Sequence, residues 1–349
     1  MVHTTEERNA QFKALIDVLH SVPHDIFNSF DIARAHFESA GVDIGADILI
    51  PKKNSTQTRQ TQPVIVRIHG GFLITGSSMF PAWFSKWVLD FAEEHNAIII
   101  SPNYRLLPEV KGRDIMEDMA NFWVWVQSGG PGRHLASVGR PSVSPNLSQI
   151  LLVGESAGGY LALQSVLSGL TRPKAMIALY PMVDMKSAHF TKPYQKSIVG
   201  VSNYPSEVAD DFISATSRSN AITEADPPAR LDSAIAVVQN GRFLEIMGDE
   251  PELFVLERIE NGPLPLNEGE KPLFPPLFLL HGENDTAVPV EGTRKLAKLL
   301  ESKDPETRFH LSVQPGDHGF DFTATTQDGW LREGLDFITA PWLSEKSRI

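Results

Sequence analysis

The sequence contains no cysteine, no long uninterrupted apolar run and no cluster of basic residues. The missing cysteines exclude disulfides, thiolate metal ligands and a cysteine nucleophile. No apolar stretch approaches the roughly 20 residues that a membrane-spanning helix needs, so we expect no membrane span. The formal net charge of -12 disfavours nucleic acid as a partner, because that kind of binding depends on Lys and Arg neutralising phosphates.

The composition is that of an ordinary globular protein, with 349 residues of which 42% are hydrophobic and 21% charged. Residues 1–20 mix apolar and charged side chains in an amphipathic helical pattern unlike a signal peptide, so we expect a cytoplasmic location. The C-terminal Ser347-Arg348-Ile349 is a relaxed form of the peroxisomal S-K-L signal, although a frayed polar tail is the simpler interpretation. A homodimer is compatible with these features.

From residue 63 onward, short β-branched runs alternate with helical stretches, which predicts an α/β fold with a mostly parallel sheet. The predicted strands are 64–68, 97–101, 150–153, 175–179, 277–280 and 309–313, and the helices between and after them are 83–94, 114–127, 157–168, 290–303 and 328–338. Before them we predict two short helices, the second at about 28–37, and a strand at 46–50.

The alternation of strands and helices fails between residues 181 and 272, which is far longer than an ordinary connection. Helical patterns at about 206–215, 231–239 and 251–259 predict a helical cap over the C-terminal edge of the sheet. We therefore divide the chain into N-terminal helices that contribute to the cap (1–41), a core (42–180 and 273–349) and a cap insertion (181–272).

The strongest chemical signal is the motif Gly154-Glu155-Ser156-Ala157-Gly158-Gly159, which follows a strand and precedes a helix. Strand, sharp turn and helix are what a nucleophile elbow requires, and the glycines two places on either side of the serine leave room for the strained turn. This context predicts that Ser156 is a catalytic nucleophile.

A second signal is the glycine-rich turn His69-Gly70-Gly71-Phe72 at the end of the strand 64–68. Backbone N–H groups in such a turn can bind the oxyanion that forms on an attacked carbonyl. We predict an oxyanion hole at Gly70, Gly71, Phe72 and Ala157, with the N–H groups of Gly71, Phe72 and Ala157 as donors. Taken alone, an ordinary glycine turn would explain the motif equally well.

Two late strands each lead into a loop that carries the remaining chemistry. Asp285 follows the strand 277–280 and His318 follows the strand 309–313, so both lie at the edge where open α/β sheets bind ligands. We predict His318 as general base and Asp285 as the acid that orients it, in the chain order that this fold uses. Glu283 is the competing acid, whereas Asp317 adjoins His318 and should point away from the imidazole.

No metal-ligand spacing such as H-E-x-x-H occurs, and the glycine clusters do not spell the dinucleotide motif G-x-G-x-x-G. We therefore predict no metal and no other cofactor. The expected partner is a small-molecule ester.

On these motifs the chain resembles the hormone-sensitive-lipase-like branch of the α/β-hydrolases over most of residues 63–342. The segment Asn103-Tyr104-Arg105-Leu106-Leu107-Pro108-Glu109 is similar to the family's D-Y-R-L-A-P-E, and His318-Gly319-Phe320 is similar to the end of its catalytic domain. The resemblance implies an esterase whose N-terminal helices and insertion form a cap.

The chain departs from this family at a few positions. Phe72 replaces the third glycine of the family's H-G-G-G, and its ring should project towards the acyl pocket. Asn103 and Glu155 each replace an Asp. The region before residue 63 is short, which suggests that an edge strand or hairpin of the sheet is missing.

The leading functional hypothesis is hydrolysis of an ester of a small or medium acid through an acyl-enzyme. An acyltransferase or cyclising enzyme of secondary metabolism would use the same three residues, and only access of water to the acyl group would separate them. Amide hydrolysis is a narrower alternative. A non-catalytic ligand-binding homologue is disfavoured by the complete set of Ser156, Asp285 and His318.

Overall fold

A computed structural model describes residues 4–52, 60–215, 221–262 and 272–345. These residues form eight strands: β1 (Phe30–Ser39), β2 (Val42–Pro51), β3 (Gln60–Ile68), β4 (Ile98–Pro102), β5 (Val143–Glu155), β6 (Ala175–Leu179), β7 (Leu277–Gly282) and β8 (Phe309–Gln314). They belong to one sheet in the order β1-β2-β4-β3-β5-β6-β7-β8. The pairs β1/β2 and β2/β4 are antiparallel and the other neighbours are parallel, so the predicted mostly parallel α/β fold is confirmed.

Twelve α-helices lie within the described residues: α1 (Thr5–His20), α2 (Lys86–Glu94), α3 (Gly112–Gln127), α4 (Gly130–Ser137), α5 (Ala157–Leu167), α6 (Ala188–Thr191), α7 (Ser206–Ser214), α8 (Leu231–Gln239), α9 (Phe243–Met247), α10 (Val255–Asn261), α11 (Val290–Lys303) and α12 (Gly329–Leu343). None of the helices in this part of the chain combines the length and the apolar character that spanning a bilayer requires.

The strands have apolar side chains on both faces, as expected for a sheet covered by helices on both sides. One face contributes Ile65, Ile99 and Leu151 to a core shared with α2 and α12. The other face contributes Val64, Val66 and Leu152 to a larger core shared with α3, α5 and α11. The carboxyl ends of the parallel strands therefore converge at one edge between two packed layers.

The prediction of a second N-terminal helix at about 28–37 is wrong, because this segment is strand β1. Its side chains alternate between buried and exposed, with Ala33, Ala35 and Phe37 facing inward. Ala40 and Gly41 have positive φ angles of 49° and 76°, which suits a two-residue hairpin turn into β2. The predicted loss of an edge strand or hairpin is also wrong, since the β1–β2 hairpin occupies the edge of the sheet.

The segment between β6 and β7, which we call the insertion, contributes helices α6 to α10 and no strand within its described residues. Helices α7 and α8 coincide with two of the three helices predicted there, whereas the third, predicted at about 251–259, is a short 3-10 helix at Pro251–Leu253 followed by α10. Helix α1 is bonded to it: the Arg8 guanidinium donates to the Asn203 carbonyl at 3.0 Å, and the Gln11 side chain accepts from Ser202. The division into core and cap stays a prediction. The tripeptide 347–349 lies outside the described residues.

Candidate active site

Ser156 lies at the turn from β5 into α5 with φ 55° and ψ −118°, a conformation that side-chain-bearing residues rarely adopt. Hydrogen bonds to both the N–H and the carbonyl of Ser156 hold the turn in place. The Ser156 N–H donates to the Leu179 carbonyl at 2.9 Å, and the Ser156 carbonyl accepts from the N–H of Tyr160 at 3.1 Å. The hydroxyl is thus fixed at the end of a buried strand, in the geometry expected of a nucleophile elbow.

The two glycines around the serine are required by close contacts. A Cβ on Gly154 would stand 2.4 Å from the Gly158 carbonyl oxygen, and a Cβ on Gly158 would stand 2.1 Å from the carbonyl oxygen of Ile68. Both distances are far below van der Waals contact, so any side chain would force β5, α5 and β3 apart. The close packing brings the end of β3, and hence the glycine-rich turn, next to the nucleophile.

Glu155 and Arg67 form a buried ion pair behind the nucleophile that we did not predict from the sequence. The Arg67 Nε donates to Glu155 Oε1 at 2.7 Å and its Nη2 donates to Oε2 at 3.1 Å. The guanidinium also donates to the Ser78 and Trp83 carbonyls. Removal of one partner from such a pair leaves an uncompensated charge and typically destabilises a protein by about 3–5 kcal/mol. The available signal was an arginine within the apolar strand 64–68.

His318 and Asp285 are brought together by the loops that follow β8 and β7. The His318 Nδ1 lies 2.8 Å from Asp285 Oδ2. The other carboxylate oxygen, Oδ1, accepts from the N–H groups of Ala287 at 2.9 Å and Val288 at 2.7 Å. These contacts fix the carboxylate plane and hold Nδ1 of His318 as the protonated nitrogen, which leaves Nε2 free to accept a proton.

A second histidine, His281, also faces the Asp285 carboxylate, and its role was not predicted. The Nε2 of His281 lies 2.7 Å from the Val288 carbonyl oxygen and 3.3 Å from Asp285 Oδ2. Both neighbours are acceptors, so this nitrogen carries the proton, and Nδ1 accepts from the Thr293 hydroxyl at 2.7 Å. His281 is fully buried and adds a further donor to the carboxylate.

The pKa values of Asp285 and His318 are shifted in the directions that catalysis requires. Burial acts to raise the pKa of Asp285, but His318 and His281 outweigh it and hold that pKa well below its usual value. Burial acts to lower the pKa of His318, and the neighbouring Asp285 outweighs it, so the pKa of the imidazole lies above its ordinary value. Asp285 is therefore ionised over the whole range in which His318 titrates.

The competing acids have other partners. Glu283 is exposed and accepts from the Arg294 guanidinium at 2.6 Å. Asp317 accepts from the N–H and hydroxyl of Thr286 at 2.7 and 2.9 Å and from the backbone N–H of His318. Asp317 thus joins the two loops that carry the acid and the histidine.

The glycine-rich turn runs alongside the nucleophile. A Cβ on Gly70 would lie 3.0 Å from the Ser156 Cβ. No acceptor within the described part of the chain is bonded to the N–H groups of Gly71 and Phe72, and the N–H of Ala157 is one of the unpaired donors at the start of α5. The N–H groups of Gly71, Phe72 and Ala157 are therefore available as candidate oxyanion donors, and Gly71 and Phe72 line the same cavity as Ser156.

Tyr104, from the segment 103–109, supports the start of this turn. Its hydroxyl donates to the carbonyls of His69 and Gly70 at 2.8 and 3.1 Å, and its ring stacks on the His69 imidazole with 4.4 Å between centroids. Burial and the adjacent Arg67 lower the pKa of His69 to about 3, so this imidazole is neutral. His69 is a structural part of the turn.

Ser156 and His318 open into one cavity of 310 Å³. Its walls are mainly aliphatic and aromatic side chains from α1, the insertion and the turns around the nucleophile: Leu15, Val18, Leu19, Phe72, Trp83, Tyr180, Val199, Leu231, Ile235, Ala287 and Phe322. Lys and Arg are missing from the described residues that line it. Across the described ranges, no group of three or more His, Asp or Glu side chains is arranged to hold a metal ion.

Comparison with known proteins places the chain in a family. A family model for the alpha/beta hydrolase fold matches residues 65–231. The probable carboxylesterase M8 of Phoma sp. is 32% identical over 326 residues, which cover 90% of this chain and 98% of M8. The chain belongs to the α/β-hydrolase fold family, in its hormone-sensitive-lipase-like esterase branch.

Two further similarities are more distant. The non-reducing polyketide synthase Preu6 of Preussia isomera is 28% identical over 348 residues, which cover 89% of this chain but 15% of the synthase. Among solved structures, an esterase from Pyrobaculum calidifontis matches with a TM-score of 0.56 at 18% identity and covers 97% of this chain and 93% of its own.

Proposed function

We propose that this protein is a carboxylic-ester hydrolase in which Ser156 is the nucleophile, His318 the general base and Asp285 the residue that orients the base. The observation that carries the proposal is the strained Ser156 turn, which opens into the same cavity as a histidine bonded to a buried carboxylate. An alcohol becomes a competent nucleophile only when a base accepts its proton, and this arrangement supplies one.

The reaction follows from these positions. The Ser156 Oγ attacks the ester carbonyl while Nε2 of His318 takes the hydroxyl proton, and the N–H groups of Gly71, Phe72 and Ala157 bind the oxyanion. The intermediate collapses, and His318 returns the proton to the departing alcohol. Water then gives a proton to Nε2 of His318 and attacks the acyl-enzyme carbonyl. The bond to Ser156 Oγ breaks as His318 returns the proton to that oxygen, which releases the carboxylic acid and regenerates the serine hydroxyl and the neutral imidazole.

The cavity walls favour an ester with apolar groups on both sides of the carbonyl and no anionic substituent. An anionic group would be buried there near Glu155 and Asp317 and without a Lys or Arg partner, which is strongly unfavourable. A volume of 310 Å³ accommodates a ligand at the small end of the usual range and supports a small to medium acyl group. Helix α1 and the insertion supply one wall, which supports their proposed role as a cap.

The alternative of acyl transfer or cyclisation in secondary metabolism is not favoured. M8 matches this chain over nearly its whole length, whereas the synthase is less similar and matches over a small part of its own chain. The products formed in the presence of an added alcohol separate the two reactions. With a p-nitrophenyl ester and added short alcohols, an esterase should release mainly the free acid, and a transferase should release mainly the new ester.

The test of the proposed function is an activity profile with p-nitrophenyl esters of increasing acyl length, run with and without a fluorophosphonate. We expect turnover of the shorter esters and complete loss of activity after modification. A protein that neither turns over any ester nor reacts with the fluorophosphonate would contradict the proposal.

The pH dependence provides a second test. kcat/KM should rise with pH along one limb whose midpoint lies above about 6.5, the value for an unperturbed imidazole. His318 must be neutral to accept the serine proton, and its pKa is raised, so activity is lost as pH falls through that higher value. The measurement is kcat/KM for one ester from about pH 5 to about pH 9, with folding monitored by circular dichroism. A midpoint below that of free imidazole would contradict this assignment.

Replacement of Phe72 tests its role on the acyl side. Phe72 lines the cavity, so Phe72→Gly should raise the ratio of kcat/KM for hexanoate over acetate esters roughly 15-fold, from about 0.8 kcal/mol for each of two newly accommodated methylenes. The same change frees the backbone at φ 55° and should lower turnover of every ester. Phe72→Ala is the matched control, because it removes the ring and keeps the Cβ. An unchanged ratio in both variants would place acyl selectivity elsewhere.

Location and assembly stay proposals. A cytoplasmic location is proposed, and a peroxisomal address would depend on Ser347-Arg348-Ile349. A homodimer can be tested directly by the mass of the protein in solution.

A further inference from the structure

The turn after His69 is strained at three consecutive residues. Gly71, Phe72 and Leu73 have φ angles of 104°, 55° and 62°. Positive φ is unfavourable for residues with a Cβ, and two of these three have one. A turn of this kind persists only where its surroundings hold it in place, and its N–H groups must stay aimed if they are to bind an oxyanion.

Bonds within the core account for part of this support. The Gly71 carbonyl accepts from the N–H groups of Ile74 and Thr75 at 2.9 and 3.0 Å, and the Leu73 carbonyl accepts from Leu107 at 2.8 Å. These bonds close the turn, but its far end still needs an anchor.

The insertion supplies that anchor. Gly76 and Ala225 exchange backbone hydrogen bonds at 2.7 and 3.0 Å. The hydroxyl of Thr75, a fully buried residue, lies 2.6 Å from the Ala225 carbonyl oxygen and 2.7 Å from the Ala229 carbonyl oxygen. Since the hydroxyl has one proton, it is shared between two carbonyls of the segment that leads into α8.

We propose that Thr75 is a positioning residue, which ties the oxyanion turn to the insertion and so keeps the N–H groups of Gly71 and Phe72 aimed at the reacting carbonyl. The inference rests on the proposed function, because it assumes that these groups bind an oxyanion. On this proposal the insertion has two roles: it forms a wall of the cavity, and it helps to position the oxyanion donors.

Thr75→Val tests the proposal, because it keeps the shape of the side chain and removes the donor. We expect kcat to fall by about 10- to 100-fold, less than for outright loss of an oxyanion donor, with KM changed by less than about threefold. Thr75→Ser retains the hydroxyl and should keep kcat within about threefold of the wild type. If Thr75→Val does not fold, Thr75→Ala removes the same hydroxyl without placing a methyl group against the two carbonyls.

A reversible trifluoromethyl ketone gives a readout that a purely structural role would not move. It forms a hemiketal with the serine and places its oxyanion in the proposed hole, so its Ki should rise by the same factor as kcat/KM falls. Thr307→Val is the matched control. Thr307 is also buried and hydrogen-bonded, to Asp304, but it precedes β8 at the end opposite His318.

The outcomes separate this inference from the function on which it rests. If the wild type neither hydrolyses esters nor reacts with a fluorophosphonate, the proposed function fails. If the wild type is active, the role of Thr75 is overturned by unchanged kcat in the hydroxyl-free variant, by an unchanged Ki, or by an equal loss in Thr75→Ser or Thr307→Val.

Discussion

Replacing Ser156 by alanine should lower kcat by roughly 10⁶-fold, since without the hydroxyl no acyl-enzyme can form. The fold should survive, because the strained turn is held by backbone bonds to Leu179 and Tyr160 that the substitution leaves in place. Alanine keeps the Cβ of serine and adds no atom, so it fits the same space. The measurements are kcat with a short p-nitrophenyl ester and the midpoint of thermal unfolding.

Ser165→Ala is the matched control, because Ser165 is a buried serine of α5 whose hydroxyl donates to the Leu161 carbonyl. It should retain wild-type turnover. A fluorophosphonate should add one adduct to the wild type and to the Ser165 variant, located on Ser156, and none to Ser156→Ala. Labelling of another residue, or activity in Ser156→Ala, would disprove the assignment of the nucleophile.

The nucleophile elbow was predictable because its determinants are local. A buried strand, a serine flanked by Gly154 and Gly158, and a helix all fall within about twenty consecutive residues. A Cβ at these two glycines would approach backbone oxygens to 2.4 and 2.1 Å, which gives the physical reason for their place in the motif. The parallel strands were predictable for a similar reason, since most of them contain a short apolar run that is buried on both faces.

The N-terminal hairpin was missed because its pattern is ambiguous at short range. Ala33 and Ala35 occupy inward positions of β1, yet alanine favours helix, and Ile32, Ala33 and Phe37 also fit a helical spacing. The outcome is decided by pairing with β2, which in turn pairs with β4 about fifty residues further along the chain. Pairing over that distance cannot be read from a local window.

The supports of the site were missed because they join distant segments. Arg67 meets Glu155 across 88 positions and the Thr75 hydroxyl meets Ala225 across 150. The insertion also contacts the acid loop, where the Val199 N–H donates to the Thr286 hydroxyl at 2.9 Å. Sequence motifs identify the residues expected to react, whereas the partners that hold them depend on the whole topology.

Replacing Asp285 by asparagine should lower kcat by about 10⁴-fold through the tautomer of His318. The N–H groups of Ala287 and Val288 both donate to Oδ1, so the amide oxygen of asparagine must take that position. The NH₂ group then faces Nδ1 of His318 and becomes a donor to it. The imidazole proton moves to Nε2, which faces the serine and can no longer accept its proton.

Two further measurements make this prediction specific. Loss of the carboxylate removes the main interaction that raises the pKa of His318, so the acidic limb of any residual activity should move to lower pH. Glu283→Gln is the control, because Glu283 is exposed and paired with Arg294, and it should change kcat by less than about twofold. A large loss in Glu283→Gln together with near-normal turnover in Asp285→Asn would assign the acid to Glu283. A large loss in both variants would mean that the Arg294 pair helps to hold the acid loop in place.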